Sequence, residues 1–321
     1  MKNESNFAAD VLEGLNANRK TLPSKWIYNK RGDDLFLKVT KMPEYYLTRA
    51  EKEIFEDQCV EIITKLGLDK PTSPFDIIEL GAGDGQKTIT LLRKLMALEK
   101  RFDYIPIDIS INALNLLETV VNDELPDICV RKQQGDYLNA LLNLKQKTCD
   151  WKDRRRVVLF LGNSIGNMLQ ADAEDFLLQM VSVLSKGDKI ILGVDLIKPP
   201  SIVLPAYSGP FNLNFKLNML ARINDELGGN FDLDQFSNDS SYTTEEGILY
   251  DYIKSKVHQK VYITALGRTF ELDDGEKIQI DISHKYDDYK INKLTSLLNV
   301  KLICKLTDLR EYFADYIYEH Q

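Results

Sequence analysis

Three glycines at alternate positions, Gly81, Gly83 and Gly85, end the apolar part of Phe75-Asp-Ile-Ile-Glu-Leu-Gly-Ala-Gly-Asp-Gly-Gln-Lys-Thr88. A buried strand, a tight turn and the start of a helix fit this pattern. A residue with no Cβ adopts positive φ at little cost and lets backbone N–H groups approach a ligand closely. The spacing is G-x-G-x-G, whereas the pyrophosphate-binding turn is G-x-G-x-x-G, with its third glycine set for helix packing. The run therefore points to S-adenosylmethionine, which carries no phosphate, before it points to a nicotinamide dinucleotide. In isolation, a plain strand-to-helix turn would look the same.

The flanking sequence extends the pattern. Phe102–Asp108, Val130–Gln134, Arg156–Gly162 and Lys189–Asp195 are short apolar runs of strand type. They alternate with helical periodicity over Ile89–Lys100, Asn112–Asn122 and Asp172–Leu184. This β-α-β order predicts an α/β fold: a parallel sheet covered by helices on both faces, with a ligand crevice at the carboxyl ends of its strands. After Lys198-Pro-Pro200 the character changes. A helix over Phe215–Leu227 precedes strands over Leu249–Lys256, Lys260–Leu266 and Lys277–Ser283, an α+β segment inserted into the core. A helix at Tyr289–Leu298 and a strand at Val300–Lys305 then rejoin the main sheet. The expected domains are residues 1–196 plus 286–321, the core with its N-terminal leader, and residues 197–285, the insertion.

Composition narrows the function. The net charge of -8 opposes general binding to nucleic-acid phosphates or anionic lipid, and no run approaches the ~18 apolar residues of a membrane span. The polar start, Met1-Lys-Asn-Glu-Ser-Asn, has no signal-peptide core, which predicts a cytoplasmic protein. We expect a monomer with a small-molecule substrate and no required protein partner. Cys59, Cys129, Cys149 and Cys304 lack C-x-x-C spacing and only three histidines are present, so no metal or disulfide framework is expected and the thiols are read as buried.

Polar residues fall at the predicted strand ends. Asp108, 27 residues after Gly81, stands where a carboxylate receives a ribose diol, and Asp136 where one accepts from an adenine amino group, with Tyr137 or a neighbouring apolar side chain against the ring. Each Asp has a plainer alternative as a helix cap. Glu79, inside the first strand, is read as bonding nearby backbone N–H groups.

The leader, Leu22-Pro-Ser-Lys-Trp-Ile-Tyr-Asn-Lys-Arg-Gly-Asp-Asp-Leu-Phe36 and Met42-Pro-Glu-Tyr-Tyr-Leu-Thr-Arg-Ala-Glu51, resembles the N-terminal signature of the histidine Nα-methyltransferase family of ergothioneine biosynthesis. The resemblance continues in order through Phe160-Leu-Gly-Asn-Ser-Ile-Gly-Asn167, Gly193-Val-Asp-Leu-Ile-Lys198, Ala206-Tyr207, Asn224-Asp-Glu-Leu, Phe231-Asp-Leu-Asp234 and Ile280-Asp-Ile-Ser-His-Lys-Tyr286. It covers roughly residues 20–287 and implies a Rossmann-like methyltransferase core with an inserted substrate-binding domain. By the same resemblance the donor, S-adenosylmethionine, contacts Tyr28, Gly32, Gly81, Lys87, Asp108, Asp136 and Tyr137. Tyr45, Asn167 and Tyr207 hold the amino and carboxylate groups of the acceptor, Tyr45 and Asn167 acting closest to the reacting nitrogen, and Asp281 and Ser283 receive its imidazole.

Two positions depart from the family pattern. Its imidazole-side carboxylate is usually Glu, one methylene longer than Asp281. Where the family carries an apolar Met against the ring, counting back from Asp281 gives Asp251, while a shift of one residue gives Tyr250 or Tyr252. Transfer to an amine is implied; histidine, another amine or aromatic amino acid, and a silent S-adenosylmethionine-binding protein remain alternatives. Alignment of donor and acceptor does most of the work in a sulfonium displacement. No obligatory general base is assigned, and His258, His284 and His320 fall in no motif that demands one.

Overall fold

The computed structural model describes residues 2–70, 74–83, 85–147 and 154–321. The first helices are α1 (Lys2–Asn16), α2 (Lys30–Thr40), α3 (Tyr46–Asp57) and α4 (Cys59–Leu66). The chain then alternates: β1 (Phe75–Leu80), α5 (Gln86–Ala97), β2 (Phe102–Asp108), α6 (Ile111–Glu124), β3 (Cys129–Val130), β4 (Gln133–Gln134), α7 (Tyr137–Lys147), β5 (Arg155–Phe160), α8 (Gln170–Val183) and β6 (Lys189–Asp195). Helices α9 (Pro200–Ala206) and α10 (Pro210–Leu227) lead into β7 (Phe236–Thr243), β8 (Ile248–Ser255), β9 (Gln259–Ile263), β10 (Arg268–Leu272) and β11 (Lys277–His284). Helix α11 (Asp288–Thr295), β12 (Val300–Thr307) and β13 (Phe313–His320) complete the chain. Two compact units result: Met1–Tyr45 with Lys198–Ser283, and Tyr46–Ile197 with His284–Gln321.

The larger unit is a Rossmann-like α/β core. Its sheet runs β12-β13-β6-β5-β1-β2-β3, with β4 also on β2. Strands β6, β5, β1, β2, β3 and β4 pair in parallel, whereas β13 joins β6 and β12 joins β13 antiparallel. The sheet is thus mixed where the sequence predicts a parallel one. Apolar runs suit it because both faces are covered. Ile77, Val157 and Ile191 pack with α3–α6 on one face, and Ile78, Val158 and Ile190 with α7, α8 and α11 on the other.

The smaller unit contains the sheets β11-β8-β7 and β10-β9. The leader was assigned above to the core, but residues up to Tyr45 fold here. Phe7, Val11 and Leu15, one face of α1, share a core with Met219, Leu220 and Ile223 of α10 and with Ile278 and Ile280 of β11. Main-chain bonds reinforce this: the Leu22 N–H donates to the Gln279 carbonyl at 2.9 Å, and the Gln279 N–H donates to the Lys20 carbonyl at 2.9 Å.

Other expectations need adjustment. Helix α5 begins at Gln86, directly after the glycine turn, and the third apolar run is split into β3 and β4. Cys59 is buried, but Cys129 is exposed and Cys304 partly so; all three are free thiols, and Cys149 lies outside the described residues. No helix among the described residues is long and apolar enough to cross a membrane.

Candidate functional site

The glycine turn has the predicted conformation at each described position. Gly81, Gly83 and Gly85 have φ of 72°, 55° and 68°, a region that L side chains rarely enter; Asp84 between them lies outside the described residues. A Cβ on Gly81 would lie 2.7 Å from the Tyr137 hydroxyl oxygen and 3.6 Å from Ser164 Oγ. Tyr137 therefore closes the turn beside Gly81, while the space beside Gly83 is open.

Asp108 ends β2. Its carboxylate accepts from the Gly83 N–H at 3.2 Å and the Ser110 N–H at 2.9 Å, tying the first two strand ends together. Burial raises its pKa, and the backbone donors of Ser110, Gly83 and Ile109 oppose the rise. Asp136 is exposed, and its two oxygens accept from the Asn139 backbone N–H at 3.0 Å and side-chain amide at 2.7 Å. Asp136 thus caps α7, the plainer alternative weighed above, whereas α6 is capped by Ser110 and Asp108 braces the glycine turn instead. Tyr137 packs edge-on against Phe160 and Phe176, and burial, followed by the Asp108 charge, raises its pKa.

Lys87, on the first turn of α5, forms an ion pair with Glu51 of α3, which is fully buried. Burial works against the Lys87 charge, but Glu51 outweighs it and the lysine pKa is raised. The other Glu51 oxygen accepts from the Gly162 N–H at 2.8 Å. Sequence reasoning passed over Glu51 because one acid on an amphipathic helix usually faces water.

The segment Phe160–Asn167 crosses from β5 to α8. Asn163 has φ of 59°; its amide oxygen accepts from the Asp195 N–H at 2.9 Å, and its amide nitrogen donates to the His284 carbonyl at 3.2 Å. It ties the end of β6 to the His284 main chain within the larger unit, and the short 3₁₀ turn that follows presents Asn167 exposed. Asp195 is also missed by sequence reasoning. It is fully buried, pairs with Lys285 at 2.8 Å and accepts from the Tyr46 hydroxyl at 2.8 Å.

Within the smaller unit, Tyr45 and Tyr207 meet edge to face with centroids 6.3 Å apart, and the Tyr207 hydroxyl lies 3.1 Å from Ser283 Oγ. Asp281 is half-buried two residues earlier on β11. Asp251 is 5% exposed and points to the same face of β8 as buried Leu249 and Ile253. Tyr250 and Tyr252, the alternatives from a shifted count, point to the opposite face and stack on each other. Asp251 is not an isolated acid: it is ion-paired with buried Lys216 of α10.

Tyr28 packs edge-on against Phe36 and Phe215, and the Gly32 N–H donates to the Asn29 side chain at 2.9 Å. Asn218 donates to the Ile27 carbonyl at 2.8 Å and to Asn29 Oδ1 at 2.9 Å, holding this loop. Of the residues expected at the donor, Gly81, Lys87, Asp108, Asp136 and Tyr137 belong to the larger unit and Tyr28 and Gly32 to the smaller. Of those expected at the acceptor, Asn167 belongs to the larger unit and Tyr45, Tyr207, Asp251, Asp281 and Ser283 to the smaller.

A family model described as histidine-specific, S-adenosylmethionine-dependent methyltransferase matches residues 7–320. A histidine N-alpha-methyltransferase of Mycolicibacterium smegmatis is 33% identical over 86% of this chain and 83% of its own length. The N-methyltransferase imqF of Aspergillus flavus is 30% identical over 93% of this chain and 81% of its own. A 4-dimethylallyltryptophan N-methyltransferase of Claviceps fusiformis is 26% identical over 91% and 85%.

Proposed function

The chain belongs to the family of histidine-specific, S-adenosylmethionine-dependent methyltransferases, and we propose that its acceptor is the α-amino group of L-histidine or of a closely related amino acid. One observation carries this reading. Tyr45, Tyr207 and Ser283, far apart in sequence, form one contiguous polar and aromatic group, with Asp281 on the strand that supplies Ser283. Hydroxyl groups with a carboxylate nearby suit an amino acid whose side chain carries a nitrogen heterocycle.

The glycine turn fits the donor because a Cβ would close it at Gly81 and because Gly83 faces open space. When bound, S-adenosylmethionine supplies a methyl group already activated by the sulfonium charge. The chain's residues orient the partners. Asp108 accepts from the ribose hydroxyls, Asp136 from the adenine amino group, and Tyr137 lies along the ring. Lys87, aimed by Glu51, offers a positive charge to the donor's carboxylate; Tyr28 and Gly32 are assigned to the donor by the family resemblance alone. In the smaller unit Tyr45 and Tyr207 offer groups for the acceptor's amino and carboxylate ends, and by the family resemblance Asn167 orients the nitrogen in its neutral form. Alignment of this kind contributes roughly 7–11 kcal/mol in favourable cases.

A second reading keeps the chemistry and changes the acceptor to another amino acid or amine. The shorter Asp281, one methylene further from a ring nitrogen than the family's usual Glu, favours it. To test both, the protein is incubated with S-adenosylmethionine and histidine, its partly methylated forms, histamine, aromatic amino acids and polyamines. Products are identified by mass spectrometry. We expect methylation of histidine at the α-nitrogen. Transfer to a different acceptor alone would select the second reading, and donor binding with no transfer to any amine would favour a silent binder.

A further inference from the structure

Lys216 is the least expected charge in the smaller unit. It sits in the middle of α10 and is 2% exposed. Its ammonium group donates to Asp251 Oδ1 and Asn238 Oδ1, and more weakly to the Tyr207 carbonyl at 3.3 Å and Ser240 Oγ at 3.4 Å. Ser240 donates to Asp251 Oδ1 at 2.6 Å, and the Asn238 amide donates to the Tyr207 carbonyl at 3.2 Å. A single cation thereby joins α10, the paired strands β7 and β8, and the main chain of Tyr207, whose hydroxyl meets Ser283. The sheet order β11-β8-β7 puts Asp251 on the strand next to the one that carries Asp281 and Ser283. Burial lowers the Lys216 pKa, and Asp251, Asp281 and Asp239 oppose this, so it lies within the field of the acceptor-side carboxylates.

We propose that Lys216 is a specificity-determining residue: with Asp251 it makes one wall of the acceptor pocket an ion-paired, hydrogen-bonded surface that admits a polar side chain and rejects a bulky apolar ring. The inference rests on the acceptor reading given above. An apolar ring packed against this wall removes water from charged groups and returns no hydrogen bond, whereas an imidazole continues the network. Removing one partner strands a buried charge, but replacing both by apolar residues of similar volume is often neutral for stability. A structural role can therefore be separated from a role in selection.

The experiment compares wild type, Lys216→Met and the double variant Lys216→Met/Asp251→Met. Histidine and tryptophan binding are measured by calorimetry in the presence of S-adenosylhomocysteine, kcat and KM are measured for both amino acids, and melting temperature and donor affinity are recorded. Lys216→Met should lower the melting temperature and weaken histidine binding. The double variant should recover most of the melting temperature, keep wild-type donor affinity, and shift the tryptophan-to-histidine ratio of kcat/KM upward by roughly tenfold or more, mainly through KM. If the double variant refolds with the wild-type ratio, the pair is only structural and the inference fails while the acceptor reading stands. If the double variant does not recover stability, tryptophan binding to Lys216→Met at a temperature where it remains folded decides: an unchanged ratio overturns the inference. Wild type that binds neither amino acid overturns the acceptor reading and this inference with it.

Discussion

The hydroxyl of Tyr137 stands directly over Gly81, so that a β-carbon on the glycine would lie 2.7 Å from its oxygen. Gly81→Ala meets this contact and also carries φ of 72°, which costs an L residue roughly 1–2 kcal/mol. Donor affinity measured by calorimetry should fall by about tenfold or more, one decade being about 1.4 kcal/mol. Gly81→Ala/Tyr137→Phe should recover part of the loss by removing the hydroxyl, without relieving the backbone strain.

Glu51→Gln tests whether the Lys87 ammonium is held for the donor. The variant still accepts from the Gly162 N–H through its amide oxygen but loses the counter-charge to Lys87. Breaking one side of a buried pair costs about 3–5 kcal/mol. Chemical denaturation should show a loss of that order, and donor binding should weaken and become more sensitive to salt.

Asn163→Gly keeps a residue at ease with φ of 59° and removes only the side chain. The Asp195 N–H and the His284 carbonyl then lose their buried partner. Each unsatisfied group costs about 1–3 kcal/mol, so the denaturation midpoint should fall clearly. Turnover should fall further than donor affinity, because Asn167 is carried by the same turn.

Glu79 gives a pH signature. It is buried, accepts from the Thr88 hydroxyl at 2.7 Å and from Tyr104, and burial raises its pKa from 4.5 to about 7 against the pull of Tyr104, Thr88 and Lys87. A carboxyl whose pKa is raised by folding stabilises fully below its unfolded value, and this contribution disappears as pH rises through the folded value. Wild type should therefore lose up to about 3 kcal/mol between pH 4.5 and about 7 from this group, relative to Glu79→Gln. Urea midpoints of both proteins across that range measure the difference.

The elements that sequence reasoning located are those whose signal is local. Strands β1, β5 and β6 are apolar on both faces, and the three glycines mark where β1 turns. What it missed is set at a distance. Strand β7, Phe236-Ser-Asn-Asp-Ser-Ser-Tyr-Thr243, is polar and exists through its pairing with β8. In β13 the buried Asp315 interrupts an otherwise apolar run. Helix α1 was not assigned, since beyond Leu22, Trp26 and Ile27 the partners of its apolar face on α10 and β11 are more than 200 residues away. At the site, aspartates at strand ends were readable. Glu51 and Lys216 were not: on a helix they look like solvated charges, and only the neighbouring elements make them buried. Asp251 was located as an unusual acid, but its counter-ion depends on α10 lying against β8.

The bridge between Thr21 and Gln279 spans 258 residues (279 − 21). A ribosome completes all of the larger unit up to β6 before β11 has been made. Until then α1 has an apolar face and only part of its core to cover it. Closure over such a separation is entropically costly and slow relative to local pairing. The apolar face of Phe7, Val11 and Leu15 is therefore fully covered only after most of these residues have been synthesised, and until then it is exposed to association with other chains.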